Sequence, residues 1–206
     1  MSRVDLLVPF SDKDEAKQLG ARWDATAQIW FVPEGADVTA FGRWLPPAEA
    51  VNVRSPSFYL AQSSRHCWRC LKETTVHGFM LPAAHETLFV GDEPEEDSWE
   101  LAEEPSVVSY LGYLSPAPAK AVQAVTRHYR IAFSKVTNTF YWMNHCEYCG
   151  AKLGDHDTFD EPGQGFLAFT LEDAQRVSLS PVNEPFAASC GSYTIGVVMF
   201  EQMRRR

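Results

Sequence analysis

Two short stretches constrain this chain more than anything else in it: "HCWRC" at residues 66 to 70 and "HCEYCG" at residues 145 to 150. A Cys-x-x-Cys turn points both sulfurs at one spot, and two such knuckles supply the four tetrahedral thiolates of a structural zinc. The pattern predicts one shared Zn2+ held by Cys67, Cys70, Cys146 and Cys149. Gly150 suits a knuckle, which needs room behind its metal-facing N–H groups. The first pair is followed instead by Leu71, a departure from that pattern. Residues 71 to 145 separate the pairs, far more than the roughly 15 to 20 of an ordinary ribbon, so the expectation is a domain grown inside one.

Other cysteine chemistries fit less well. A thioredoxin-like pair opens a helix after a strand and needs no second pair. Zinc deaminases combine Cys-x-x-Cys with His-x-Glu, which this sequence lacks, and with a proline where His145 stands. Iron–sulfur ligation by the same four thiolates stays open. With four sulfurs filling a tetrahedron, His66 and His145 are read as donors of hydrogen bonds around the site rather than as ligands. An ordinary polar residue at a strand end is an equal reading of each. Cys190 has no nearby partner and reads as a small core residue.

The chain of 206 residues is 45% hydrophobic and 13% aromatic, enough for a real core. Free paired cysteines, no secretory signal and no long apolar run predict a cytoplasmic protein that does not enter a membrane. The net charge of −9 disfavours nucleic acid as a direct partner, because gripping phosphates needs clustered Lys and Arg. The acid is concentrated in "GDEPEEDSWELAEEP" (91 to 105). The plain reading is a solvated loop. The sharper one is a docking surface for a basic protein, with Glu95, Glu96 and Asp97 at its centre and Trp99 as apolar anchor.

Residues 3 to 46 read as a small β-α-β-α module. "VDLLVPF" is a strand, Ser11 offers an N-cap to a helix ending at Gly20, "QIWFVP" is a second strand and "DVTAFGRW" a short helix. The stretch "VPFSDKDEAKQLGARWDATAQIWFVP…FGRWLP" resembles the small domain of unknown function numbered 5710 that accompanies primases of conjugative plasmids. The resemblance rests on Val8-Pro9, the helix start from Lys13 to Lys17, Leu19 to Asp24, Trp30 and Val32-Pro33. It implies a fold and a nucleic-acid context but no catalytic residues. Arg22 and Trp23 read as a solvated Arg beside a core Trp, or as a stacking platform for a base.

From about residue 55 onward, "SFYL", "TVHGFML" and "TFYWMNH" read as strands, "SVVSYLGYL" as a strand with helix as the alternative, and "SYTIGVVMF" as a closing buried strand. Ser115-Pro116 and Thr170-x-x-Asp173 open helices. In "GDHDTFDEPG" the acids around His156 read as a polar turn, with a hard-cation or acid–base site as the sharper alternative. The segment "YWMNHCEYCGAKLGD" is similar to uncharacterised bacterial zinc-ribbon proteins, which carry no known activity. The expectation is an α+β protein: residues 1–48 a primase-associated module, and 55–206 a mostly β zinc-ribbon domain with one or two helices. No nucleophile or general base is placed, so the function expected is non-enzymatic. It is binding of a basic protein, as an immunity protein neutralises a toxin or nuclease, with a nucleic-acid accessory role as the alternative.

Overall fold

The computed structural model describes residues 3–34, 36, 39–44, 51–91 and 96–206. The chain divides into two units, Met1–Glu49 and Ala50–Arg206.

In the first unit, β1 (Val4–Leu6) leads through a 3-10 turn (Phe10–Asp12) into α1 (Lys13–Gln18). The helix ends before Gly20, whose φ of 101° is the left-handed geometry expected there. Two strands follow, β2 (Arg22–Asp24) and β3 (Ile29–Val32), and then a second 3-10 helix, Thr39–Trp44. The module therefore holds one strand more than the β-α-β-α expectation, and its last helix is 3-10. Ser11 is not the N-cap: Asp12 precedes the helix, and its carboxylate takes the Trp44 indole N–H at 3.0 Å instead of a helix N–H. The antiparallel sheet runs β1-β3-β2, and Leu6, Val32, Ala16, Ala21, Phe41 and Trp44 form its core.

The second unit is mostly sheet. Its strands are β4 (Val53–Ser55), β5 (Phe58–His66), β6 (Glu73–Leu81), β7 (His85–Phe89), β8 (Ser98–Ala102) and β9 (Ser106–Leu114). After α2 (Pro116–Val125) come β10 (Tyr129–Ser134), β11 (Thr139–His145) and β12 (Lys152–Leu153). A π-helical turn (His156–Asp160) and α3 (Leu171–Arg176) precede β13 (Ser178–Val182), β14 (Phe186–Ile195) and β15 (Arg204–Arg205). Nine strands make one sheet in the order β15-β13-β5-β6-β9-β14-β4-β7-β8, and β10-β11-β12 make a second.

Strand alternation sends β6 into two cores at once. Val76 and Met80 face a cluster with Phe159, Phe166, Leu179 and Phe200, whereas Phe79 and Leu81 face one with Phe58, Leu111, Tyr129, Trp142 and Phe186. Phe79 is fully buried at 5.7 Å from the Phe58 ring and 5.4 Å from the Phe186 ring. Truncating it to Ala would cost about 3–5 kcal/mol. On the other face Gly78 is required, because a Cβ there would meet the Phe159 ring at 2.9 Å.

In the second unit the two helix-start signals mark the right places, but only one of them caps its helix. Thr170 and Asp173 form a complete capping box on α3. Ser115 does precede α2, but its Oγ accepts from the Ala187 N–H rather than from the helix. The expected closing strand 192–200 is corrected: β14 ends at Ile195, Gly196 turns at φ 76°, and Phe200 lies in a 3-10 turn. Part of the acidic stretch read as loop is the strand β8.

Candidate metal centre

Each cysteine pair forms the turn of a β-hairpin. The first knuckle joins β5 to β6 in the large sheet, and the second joins β11 to β12 in the small one. Their backbones follow one rule. Cys67 donates its N–H to the Lys72 carbonyl and accepts from Leu71, while Cys146 donates to Ala151 and accepts from Gly150, all at 2.9 Å.

The four sulfurs meet. Cys67 and Cys149 stand 3.7 Å apart, Cys70 and Cys146 3.6 Å, and all four lie within 4.8 Å of one another. Tetrahedral zinc with Zn–S bonds of about 2.3 Å sets its sulfurs about 3.8 Å apart, so the spacing is that of ligands around a common ion. It is far from the roughly 2.05 Å of a disulfide, and all four thiols are free. Each close pair takes one sulfur from each knuckle. An ion here therefore ties the two sheets together.

The electrostatics favour a cation. Burial pushes the Cys146 thiol up, but N–H groups of Cys149 and Tyr148 and the thiols of Cys70 and Cys67 outweigh it and bring it to about 6. Cys149 receives the Ala151 N–H, yet burial and hydrogen bonds with the other three thiols raise it to about 11. Cys146 thus forms a thiolate readily while a charge on Cys149 is opposed, an imbalance that a bound dication would remove.

The two histidines differ. His145 is buried, and its Nδ1–H donates to the Met143 carbonyl at 2.9 Å. Burial, with Arg130 adding to it, takes its pKa down to about 4 and leaves the ring neutral. His66 is exposed. Among the described residues neither ring is hydrogen-bonded to a cysteine sulfur.

Three contacts beneath and beside the knuckles carry no sequence motif. Buried Asn144 accepts from the His77 N–H and donates to the His77 carbonyl, both at 2.8 Å, so a side chain on β11 completes the backbone pairing of β6. Thr74 Oγ1 accepts from the Glu147 N–H at 3.1 Å, and the Trp68 indole donates to the Lys152 carbonyl at 2.8 Å. An Asn inside the apolar run "YWMNH" was the one visible hint. At the knuckle tips Trp68 is 62% and Tyr148 57% exposed, with Lys72 over the Tyr148 ring.

Two of the acids gather around His156 at the surface: its Nδ1 lies 3.5 Å from Asp157 and 3.7 Å from Glu161, and Asp157 also meets the buried Arg65 at 3.3 Å. Asp155 turns inward instead. The β9–β14 ladder shifts register between Ser189 and Cys190, and the Tyr110 N–H goes to Asp155 Oδ2 at 2.7 Å. Among the described residues Oδ1 is buried without a hydrogen-bond partner, and so is the Tyr129 hydroxyl. Burial pushes the Asp155 carboxyl up to about 8, despite the Tyr110 N–H. Burial, with Asp155 adding, raises Tyr141 to about 12.

Trp23 and Arg22 sit side by side on β2, so their side chains leave on opposite faces. Trp23 lies at 5.6 Å from the Trp30 ring and is half exposed rather than core. Arg22 is exposed on the other face. In the acidic stretch Glu96 and Asp97 are exposed, Trp99 is half-buried with Arg54 stacked 4.1 Å over its ring, and Glu95 lies outside the described residues.

Residues 3–46 match the family described as Domain of unknown function (DUF5710). That region is similar to two curated proteins, each a DNA primase TraC of Escherichia coli. One is 48% identical over 50 residues, 24% of this chain and 4% of the relative; the other is 52% identical over 42 residues, 20% of this chain and 4% of the relative. The chain thus spans a small fraction of the length of the primases it matches. No solved structure matches it.

Proposed function

We propose that this protein is a non-enzymatic binding protein whose second unit is held together by one structural Zn2+, and that it engages a basic protein through its acidic surface. The observation that carries the reading is the set of four sulfurs within 4.8 Å of one another: Cys67, Cys70, Cys146 and Cys149 are enough to supply all four positions of a tetrahedral ion. Catalytic zinc keeps one position open for water or substrate, whereas a closed thiolate site cross-links. The metal's contribution is folding energy, delivered where the two sheets meet. Reduced cysteines are needed for it, in keeping with a cytoplasmic protein. The net charge of −9 and the exposed Glu96 and Asp97 select a basic partner, and neutralisation of a toxin or nuclease in the manner of an immunity protein is the form we favour.

Metal analysis by mass spectrometry tests the core of this reading. One zinc per chain is expected, lost in Cys67→Ser and in Cys146→Ser together with much of the second unit's thermal stability. Full zinc retention in both variants would refute the shared site, and iron in place of zinc would reassign it as a redox centre.

A second reading, a nucleic-acid accessory factor, is favoured by the likeness of residues 3–46 to a DNA primase and by the half-exposed Trp23 within it. Exposed Trp68 and Tyr148 beside exposed Arg69 and Lys72 offer stacking surfaces of the same kind.

A further inference from the structure

The large sheet ends on β8, and among the described residues no strand pairs with its outer side. The Ala102 carbonyl faces inward, where it accepts from the Ala84 N–H at 2.8 Å. Backbone direction alternates along a strand, so the N–H and C=O groups of Trp99 and Leu101 face outward. An edge of this kind is a template for another strand unless it is blunted by charge, Pro or a bulge, and an acidic charge such as Glu100 repels acidic strands while admitting basic ones. "SWELA" contains neither Lys nor Pro, and β8 pairs with β7 in unbroken register from Ser98 to Ala102. We propose that the outer edge of β8 binds an extended, basic peptide segment of a partner protein, which adds to the sheet as a further strand.

The face beside that edge suits alternate side chains of an incoming strand. Trp99 and Leu101 share it with Leu88, and Leu101 is 64% exposed. Arg54, stacked on Trp99, is a cation on this face, and Glu86 neutralises it through two hydrogen bonds of 2.8 and 3.0 Å.

Charge selects the occupant. From residue 73 to residue 119 the sequence has no Lys or Arg, and it carries ten carboxylates: Glu73, Glu86, Asp92, Glu93, Glu95, Glu96, Asp97, Glu100, Glu103 and Glu104. Glu96, Asp97, Glu100, Glu103 and Glu104 are exposed on or next to β8. Pairing β8 with β8 of a second copy would set these acids against each other. The opposite edge, β15, is basic but only two residues long. Its two arginines and the Arg206 that follows are also engaged within the chain: Arg205 over Tyr59 and Phe200, Arg204 on the Arg176 carbonyl, and Arg206 on Gln62. A basic segment of another protein fits where a second copy does not.

The inference rests on the basic-partner reading, and the test separates the two. A fluorescent peptide alternating Lys and Val is titrated into the full chain, alongside a version N-methylated at every second residue. The plain peptide should bind and protect the Trp99 and Leu101 amides from hydrogen exchange, and the methylated one should bind at least about tenfold more weakly, for two or more lost hydrogen bonds. Leu101→Pro deletes an outward N–H while leaving the inner ladder intact, so it should melt near wild type and lose at least about tenfold in affinity. Leu101→Ala, which keeps the N–H, should lose less. Equal binding of the two peptides overturns strand addition and leaves charge attraction standing, an arm that holds even where Leu101→Pro misfolds. Unchanged binding by folded Leu101→Pro does the same. No binding of the plain peptide at low salt overturns the inference and the basic-partner reading together. Self-association in sedimentation that Leu101→Pro abolishes overturns it in favour of copy-to-copy pairing.

Discussion

Leu71 and Gly150 occupy the same place in the two knuckles. Their φ angles are 61° and 67°, and each donates its N–H to the carbonyl of the cysteine four residues before it at 2.9 Å. Glycine adopts this conformation without penalty, and leucine does not. The departure noted in the sequence is thus a side-chain difference on an unchanged backbone.

Leu71→Gly should therefore stabilise the protein. Leu71 is 75% exposed and buries little, so relief of about 1 kcal/mol of left-handed strain dominates. A melting temperature higher by about 2–4 °C in calorimetry is expected. Gly150→Ala should lower it by a similar amount, since a Cβ there meets nothing within 4 Å and only the backbone angle is penalised.

Asp155 should make stability depend on pH. Its folded pKa of about 8 lies above its unfolded value, so the folded state holds the proton more tightly. The group's favourable contribution is complete below the unfolded pKa near 4 and is lost as pH rises through about 8, by at most about 1.4 kcal/mol per pH unit. Asp155→Asn keeps an acceptor for the Tyr110 N–H and carries no charge. Urea melts should show the variant more stable than wild type at pH 8.5, with the difference shrinking toward pH 5. An equal gap at both pH values would place the Asp155 proton elsewhere.

These two sites mark what local sequence carries. The four cysteines were legible because knuckle spacing alone aims the sulfurs, and β5, β6, β9 and β11 because apolar runs and alternation are local. Asp155 was not, since in "GDHDTFDEPG" a buried acid looks like its exposed neighbours, and the N–H it serves belongs to Tyr110, in a ladder whose register shifts far away in sequence. The strand β8 was hidden by acids that an edge tolerates. Tyr193 and Ile195 read as core, yet they lie on an exposed end of β14. Burial there is decided by which strand comes next in the sheet, and periodicity does not report that.

Asn144 should be among the costliest residues to replace outside the cysteines. Asn144→Ala orphans the buried N–H and C=O of His77 at once, for a loss of about 2–4 kcal/mol. Asn144→Asp keeps the acceptor but, when ionised, offers no donor to the His77 carbonyl; its protonated form regains an O–H donor, so the variant should fall between Ala and wild type at pH low enough to protonate it. His77→Ala leaves both backbone bonds in place. If His77→Ala is as damaging in denaturant unfolding as Asn144→Ala, the His77 ring, not the bridge, matters at this position.

The last test weighs the two functional readings through β2. With five basic and seven acidic side chains in residues 1 to 46, only weak binding of a single-stranded DNA oligonucleotide is expected at physiological salt. Because Trp23 and Arg22 project from opposite faces of the strand, one nucleotide cannot stack on the first while its phosphate meets the second. Fluorescence anisotropy should therefore show Trp23→Ala and Arg22→Ala changing any residual affinity independently, their effects adding within about 0.5 kcal/mol. Trp23→Ala should also cost about 1 kcal/mol of stability, the worth of its contact with Trp30. Sub-micromolar binding that weakens steeply with salt, and that either substitution abolishes alone, would put the accessory-factor reading ahead of the basic-protein one.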